Sequence, residues 1–220
     1  MIKRMTMLAR KDGMTVSDFR NYWYVNHAEL VKKMPRLGKY IQNHIVKNIV
    51  PDIGGPEFSV DGIPELWFAD EDAKNAALQS TAAKALPLDE PNFMRGITIL
   101  AIEETVVRPG DGDAKVMLLC RNGPGAGAAS LSAPGSWLAR LADELPGARR
   151  YVVNRVVSKD RRAGVWCEPS PPDAIAELRF ADEKAARDAF QSAGFAKIAA
   201  EAKAHGQSIA VFLVEERPIV

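Results

Sequence analysis

Residues 63–80 read IPELWFADEDAKNAALQS, and residues 175–192 read IAELRFADEKAARDAFQS. Glu65, Phe68, Ala69, Asp70, Gln79 and Ser80 are matched by Glu177, Phe180, Ala181, Asp182, Gln191 and Ser192, at an offset of 112. A second pair, KYIQNHIVKN at 39–48 and RYVVNRVVSK at 150–159, aligns at an offset of 111. A period this long does not suit a solenoid and fits a duplicated compact domain. The turn-rich RPGDGDA at 108–114 marks the boundary between units 1–107 and 114–220.

Outward from that stretch, alternation in Lys3–Arg10 reads as a strand and KDGMT as a turn. A helix is expected from about Val16 to Met34, with Thr15 as its N-cap and Pro35 as its terminator. A strand at about Lys39–Val50, a Gly/Pro-rich loop, a strand at Ile63–Ala69, a helix from Glu71 to about Ser80, an irregular stretch and a strand at Arg95–Val107 complete the unit. The second unit repeats the order, with strands at 114–121, 149–159, 173–181 and 207–217 and helices near 134–145, 182–191 and 195–204. The order β-α-β-β-α-β, twice over, is the ferredoxin-like arrangement. Such a sheet carries helices on one face and leaves the other bare, so two copies cover each other. The expectation is an α+β fold in which tandem ferredoxin-like units form a dimeric α+β barrel within one chain, helices outside.

Lys plus Arg number 29 and Asp plus Glu 28, a net charge of +1. No single-sign field exists to draw in nucleic acid or an anionic membrane surface. No apolar run approaches the ~20 residues that cross a bilayer. The start, MIKRMTMLAR, alternates where a signal peptide holds a continuous apolar block, so a cytoplasmic protein is expected. Cys120 and Cys167 are the only cysteines and suggest neither a zinc site nor a disulfide framework. GPGAGA at 123–128 lacks the Lys-Ser/Thr of a phosphate loop and reads as a flexible lead.

In the first helix Phe19, Trp23, His27, Leu30 and Met34 recur at spacings of three and four and share one face. A histidine on such a stripe is ordinarily a core residue satisfied by a backbone carbonyl. The following strand offers a second reading, because alternation places Tyr40, Gln42 and His44 on one face and Ile41, Asn43 and Ile45 on the other. Two imidazoles against tyrosine and tryptophan surfaces make a site for acid–base work on a flat organic molecule. No third ligand at metal spacing accompanies them.

The run FRNYWYVNHAELVKKMPRLGKYIQNHIV, followed by DGIPELWF and PLDEPNF, resembles the EthD family of the dimeric α+β barrel superfamily, over about residues 1–107. The family's aromatic-x-x-x-His pattern falls on Trp23 and His27, its Tyr-x-x-Asn-His-like pattern on Tyr40, Asn43 and His44, and its Asp-Glu-x-x-Phe pattern on Asp89, Glu90 and Phe93. The resemblance implies a cofactor-independent isomerase, dehydratase or related lyase acting on an aromatic or lactone-like small molecule. In that scheme His27 is the general base, His44 the general acid or an orienting donor, and Asp89 the group holding a histidine tautomer. Trp23, Tyr24, Tyr40, Trp67 and Phe93 would line the pocket, with Asn43 beside them. Two alternatives use the same pocket: a binder without turnover serving an oxidative degradation pathway, and a monooxygenase-like oxidoreductase without metal or flavin. No cofactor is expected, and further pairing of two-unit chains into a homodimer stays open.

The second unit departs from the pattern. Alignment puts Pro134 at Trp23, Leu138 at His27, Arg155 at His44, Arg179 at Trp67, Glu201 at Asp89 and His205 at Phe93. Tyr151, Asn154, Glu177, Phe180 and Asp182 persist, so the positions matched in both units are expected to serve the fold, and a single site is expected in the first unit.

Overall fold

The structure is a computed structural model and describes residues 1–54, 58–123, 131, 133, 135–160 and 169–220; most of GPGAGA, Pro134 and Cys167 lie outside these. Its eight strands are β1 (Ile2–Arg10), β2 (Leu37–Asn48), β3 (Gly62–Phe68), β4 (Met94–Arg108), β5 (Ala114–Arg121), β6 (Arg150–Asp160), β7 (Ala174–Phe180) and β8 (Ser208–Pro218). All pair antiparallel and close into one barrel in the order β1-β3-β2-β8-β5-β7-β6-β4. Within the first half the neighbours run β4-β1-β3-β2, and within the second β8-β5-β7-β6, the same connectivity. The halves meet at two seams, β2 with β8 and β4 with β6. Closure leaves no free sheet edge among these strands.

The helices are α1 (residues 16–31), α2 (Glu71–Gln79), α3 (Thr81–Asp89), α4 (Trp137–Glu144), α5 (Glu183–Phe190) and α6 (Ala193–Ala204). The residues shared by the duplicated stretch explain where they start. Asp70 and Asp182 accept from the backbone N–H of Ala73 and Ala185, and Ser80 and Ser192 from those of Ala83 and Phe195. Each is an N-cap satisfying a donor that the first helical turn leaves unpaired. One correction follows: the stretch after Ser80, expected to be irregular, is helix α3. Alanines fill its first turns, and Pro87 sits near its C-terminal end, where the sequence pattern gives no apolar stripe.

The barrel interior holds an apolar layer that includes Met5, Met7, Ile63, Leu100, Met117, Leu119, Ile175 and Phe212. Beside it lies a buried ionic cluster with the symmetry of the duplication. Lys3 is 2.7 Å from Glu65, 2.7 Å from Glu104 and 2.6 Å from Glu177, while Lys115 is 2.6 Å from Glu65, 3.0 Å from Glu177 and 2.8 Å from Glu216. Asn43 donates to Glu65 at 2.6 Å, and its counterpart Asn154 donates to Glu177 at 2.7 Å. Burial works to neutralise the lysines, and the surrounding carboxylates outweigh it, so both are held charged with raised pKa. Burial likewise opposes the ionisation of Glu177, but Lys115 and Lys3 outweigh it and lower its pKa. No helix among the described residues is long and apolar enough to cross a membrane.

Candidate functional site

On β1, residues Lys3, Met5 and Met7 point into the barrel, so alternation sends Arg4, Thr6 and Leu8 to the outer face, beneath α1 and α3. There they line a cavity together with Trp23, His27, Tyr40, Pro64, Leu66, Leu86, Glu90, Ile97 and Ile99. It offers about 70 Å³ to the centre of a water-sized sphere, space for a few waters or part of a small organic molecule.

Helix α1 is not uniform. Residues Trp23–His27 form a π-helical turn in which the Ala28 N–H reaches back to the Trp23 carbonyl. Such turns are inserted where a helix must re-aim side chains. The Gln42 side chain, coming up from β2, donates to the same Trp23 carbonyl at 3.0 Å and to the Tyr40 hydroxyl at 2.8 Å. Trp23 Nε1 donates to that hydroxyl at 3.1 Å. Gly62 makes the packing feasible, since a Cβ there would lie 2.4 Å from the Trp23 ring.

One turn on, His27 is 7% exposed, and its Nδ1 lies 2.8 Å from Asp89 Oδ2 at the end of α3. Tyr22 donates to the other carboxylate oxygen at 2.7 Å. Burial would raise the Asp89 pKa, yet the hydrogen bonds from Tyr22 and His27 outweigh it and hold the carboxyl below its usual range. An ionised Asp89 on Nδ1 fixes the proton there and leaves Nε2 as the basic nitrogen. Phe93 packs tilted against the imidazole with ring centres 4.9 Å apart and stacks on Tyr22 at 5.2 Å.

The expected site residues thus divide. His27, Trp23 and Tyr40 line the cavity, with Asp89 and Phe93 holding His27 from behind. His44 is a correction: it is fully buried under Trp23, with ring centres 4.5 Å apart, and is absent from the cavity wall. Its Nε2 lies 3.0 Å from Gln42 Oε1, and burial, then Arg217, push its pKa down to about 3, which disfavours the imidazolium form that a general acid needs. Asn43 faces into the barrel on Glu65. Trp67 lies on the barrel side of β3, its ring 4.8 Å from the Lys3 ammonium. Tyr24 stands in solvent under the Arg217 guanidinium, 4.9 Å from its ring. Arg4 and Thr6 were not singled out in the sequence, while Gln42 and Glu90 were named there, on the Tyr40 face and in the Asp-Glu-x-x-Phe run, without a role in the site. Among the described residues no group of three or more His, Cys, Asp or Glu is gathered as for a metal ion.

Comparison with solved structures bears first on the class. An anthrone oxidase-like protein superposes with a TM-score of 0.62 at 11% identity, covering 99% of this chain and 93% of its own. A provisionally named monooxygenase from Fusobacterium nucleatum gives 0.54 at 10% identity, covering 98% and 93%. The chain therefore shares with these proteins the fold of an eight-stranded antiparallel α+β barrel. Residues 11–96 match the family model of the EthD domain. An EthD family protein from Bacillus halodurans is 21% identical over 43% of this chain and 88% of its own, with a TM-score of 0.33. No curated protein matches the chain.

Proposed function

We propose that the first half is a cofactor-independent acid–base catalyst for a small carbonyl-bearing molecule, aromatic or lactone-like, and that the second half is a duplicated ferredoxin-like unit kept to close the barrel. The observation that carries this reading is the His27–Asp89 pair at 2.8 Å, placed on the wall of a largely apolar cavity. Asp89 supports the Nδ1–H tautomer, and His27 Nε2 takes a proton from carbon next to the substrate carbonyl. The electron pair moves onto the carbonyl oxygen, and the same proton, returned elsewhere, gives isomerisation. Where the substrate carries a β-hydroxyl, the enolate's electron pair expels it by breaking the C–O bond, and the proton on His27 Nε2 passes to the leaving oxygen, so water departs and dehydration results. A positioned base is worth about 10²–10⁴ in rate. Trp23 and Tyr40 hold the flat substrate by apolar contact.

Small aromatic ketones and lactones are screened for a raised melting temperature, and any that bind are followed for consumption with and without oxygen uptake. Consumption without oxygen supports the acid–base reading. Oxygen uptake in step with consumption replaces it by a monooxygenase, in which the same carbanion reacts with O₂ in the dry cavity. Binding with no consumption leaves a small-molecule binder.

A further inference from the structure

The second half records what the fold asks of each wall position. Arg4 pairs with Leu66 and Ala101, and Val116 pairs with Leu178 and Leu213, residues equivalent at an offset of 112. Thr6 opposite Ile99 is answered by Leu118 opposite Val211. His27 and Glu90 align with Leu138 and Ala202. Val116, Leu118, Leu138 and Ala202 all belong to one continuous apolar core. The fold itself thus accepts an apolar residue at each of these positions, and burying polar groups there costs free energy that packing does not return. Arg4 also occupies a distinct place, because it and Leu78 line both the cavity and an open groove bordered by Met1, Trp67 and Lys74. They form the mouth between the two.

We propose that Arg4 is the site's electrophile: its guanidinium receives the substrate's carbonyl oxygen at the mouth and stabilises the negative charge that develops there when His27 removes the neighbouring proton. This rests on the acid–base reading of His27 and completes it, since an enolate forming in an apolar cavity needs a cationic donor aimed at its oxygen. The balance is simple: the C–H bond breaks, its proton goes to His27 Nε2, and its electron pair ends on the oxygen facing Arg4. Glu90, 6% exposed, lines the same cavity as Arg4. The substrate class is a neutral ring ketone or lactone that becomes anionic during reaction, when its oxygen faces Arg4.

The probe is 4-nitrophenol, whose visible spectrum reports its own ionisation and which mimics the enolate without turning over. At a pH below the pKa of the free phenol, the protein is expected to bind it as the yellow phenolate. Arg4→Met should weaken phenolate binding about tenfold or more, the effect of losing one charge-assisted hydrogen bond, and Arg4→Lys should recover part of it. Arg4→Val, the residue the second half carries at this position, serves if Arg4→Met does not fold. In His27→Asn the phenolate band is expected to persist, because its partner is the guanidinium. Binding only as the neutral phenol, no binding at millimolar probe, or undiminished phenolate binding by the Arg4 variants overturns the proposal. Loss of the band in His27→Asn alone also overturns it while leaving His27 as the proton acceptor. A persistent Arg4-dependent band in a protein that turns nothing over supports Arg4 and counts against the catalytic reading.

Discussion

The two histidines that look alike in the sequence have opposite fates, and the difference lies in what each nitrogen meets. His27 keeps an ionised carboxylate on Nδ1 at the cavity wall, while His44 is sealed beneath Trp23. If His27 is the proton-transfer group, His27→Ala lowers turnover by about 10²-fold or more with aromatic ligand binding retained. If it only packs, the same change costs roughly 1–3 kcal/mol of stability and leaves full activity per folded molecule. Melting temperature and specific activity on one preparation separate these. For His44 the folded pKa, about 3, lies below the ordinary value of 6.5. Between those values the unfolded chain binds the extra proton, so stability is full above about pH 6.5 and declines as the pH falls toward 3. His44→Gln should flatten that decline, which reaches at most about 1.4 kcal/mol per pH unit, in denaturant titrations at several pH values. Asp89 behaves in the usual carboxylate sense: its lowered pKa adds stability present above the unfolded carboxylate range and lost as the pH falls through the folded value.

Among the elements, α1 departs most from a simple reading. Spacings of three and four place Trp23 and His27 on one face, but the π-helical turn between them cannot be seen in residue types, because it depends on Gln42 arriving from β2 to bind the displaced carbonyl. The same holds for α3, whose N-cap Ser80 was visible as a matched residue while its short alanine-rich body carried no periodic signal. Its last residue, Asp89, was found only through the family pattern. Arg4 and Thr6 were legible in principle, by setting β1 against β5 and noting Val116 and Leu118 at the same register. Gly62 yields a prediction at this scale. Gly62→Ala drives a methyl group into the Trp23 ring and should cost about 1–3 kcal/mol while distorting the cavity wall, measured by denaturant unfolding and by loss of aromatic ligand binding. The second half has Ala174 at the equivalent position, where the residue aligned with Trp23 is a proline.

At the scale of the whole molecule the duplication explains more than topology. The offset of 111–112 maps Lys3 on Lys115, Asn43 on Asn154, Glu65 on Glu177 and Glu104 on Glu216; the first six are buried together in the barrel, and Glu104 and Glu216 reach the lysines from its rim. These matched residues serve the fold, and the proposed chemistry is placed where the halves differ. Lys3→Met removes one cation from carboxylates that stay buried and should destabilise the chain by about 3–5 kcal/mol in denaturant unfolding, without altering the His27 site directly. The central claim, that one proton-transferring histidine works in the first half alone, is tested most directly by hydrogen–deuterium exchange at carbon. A panel of lactones and benzylic ketones is incubated with the protein in D₂O, and NMR follows the signal of the C–H next to the carbonyl. The account predicts that the protein accelerates exchange of at least one compound, and that His27→Asn lowers this by about 10²-fold or more with its melting temperature nearly unchanged. Exchange at the full rate in folded His27→Asn, or no acceleration of any compound by the unaltered protein, would contradict it.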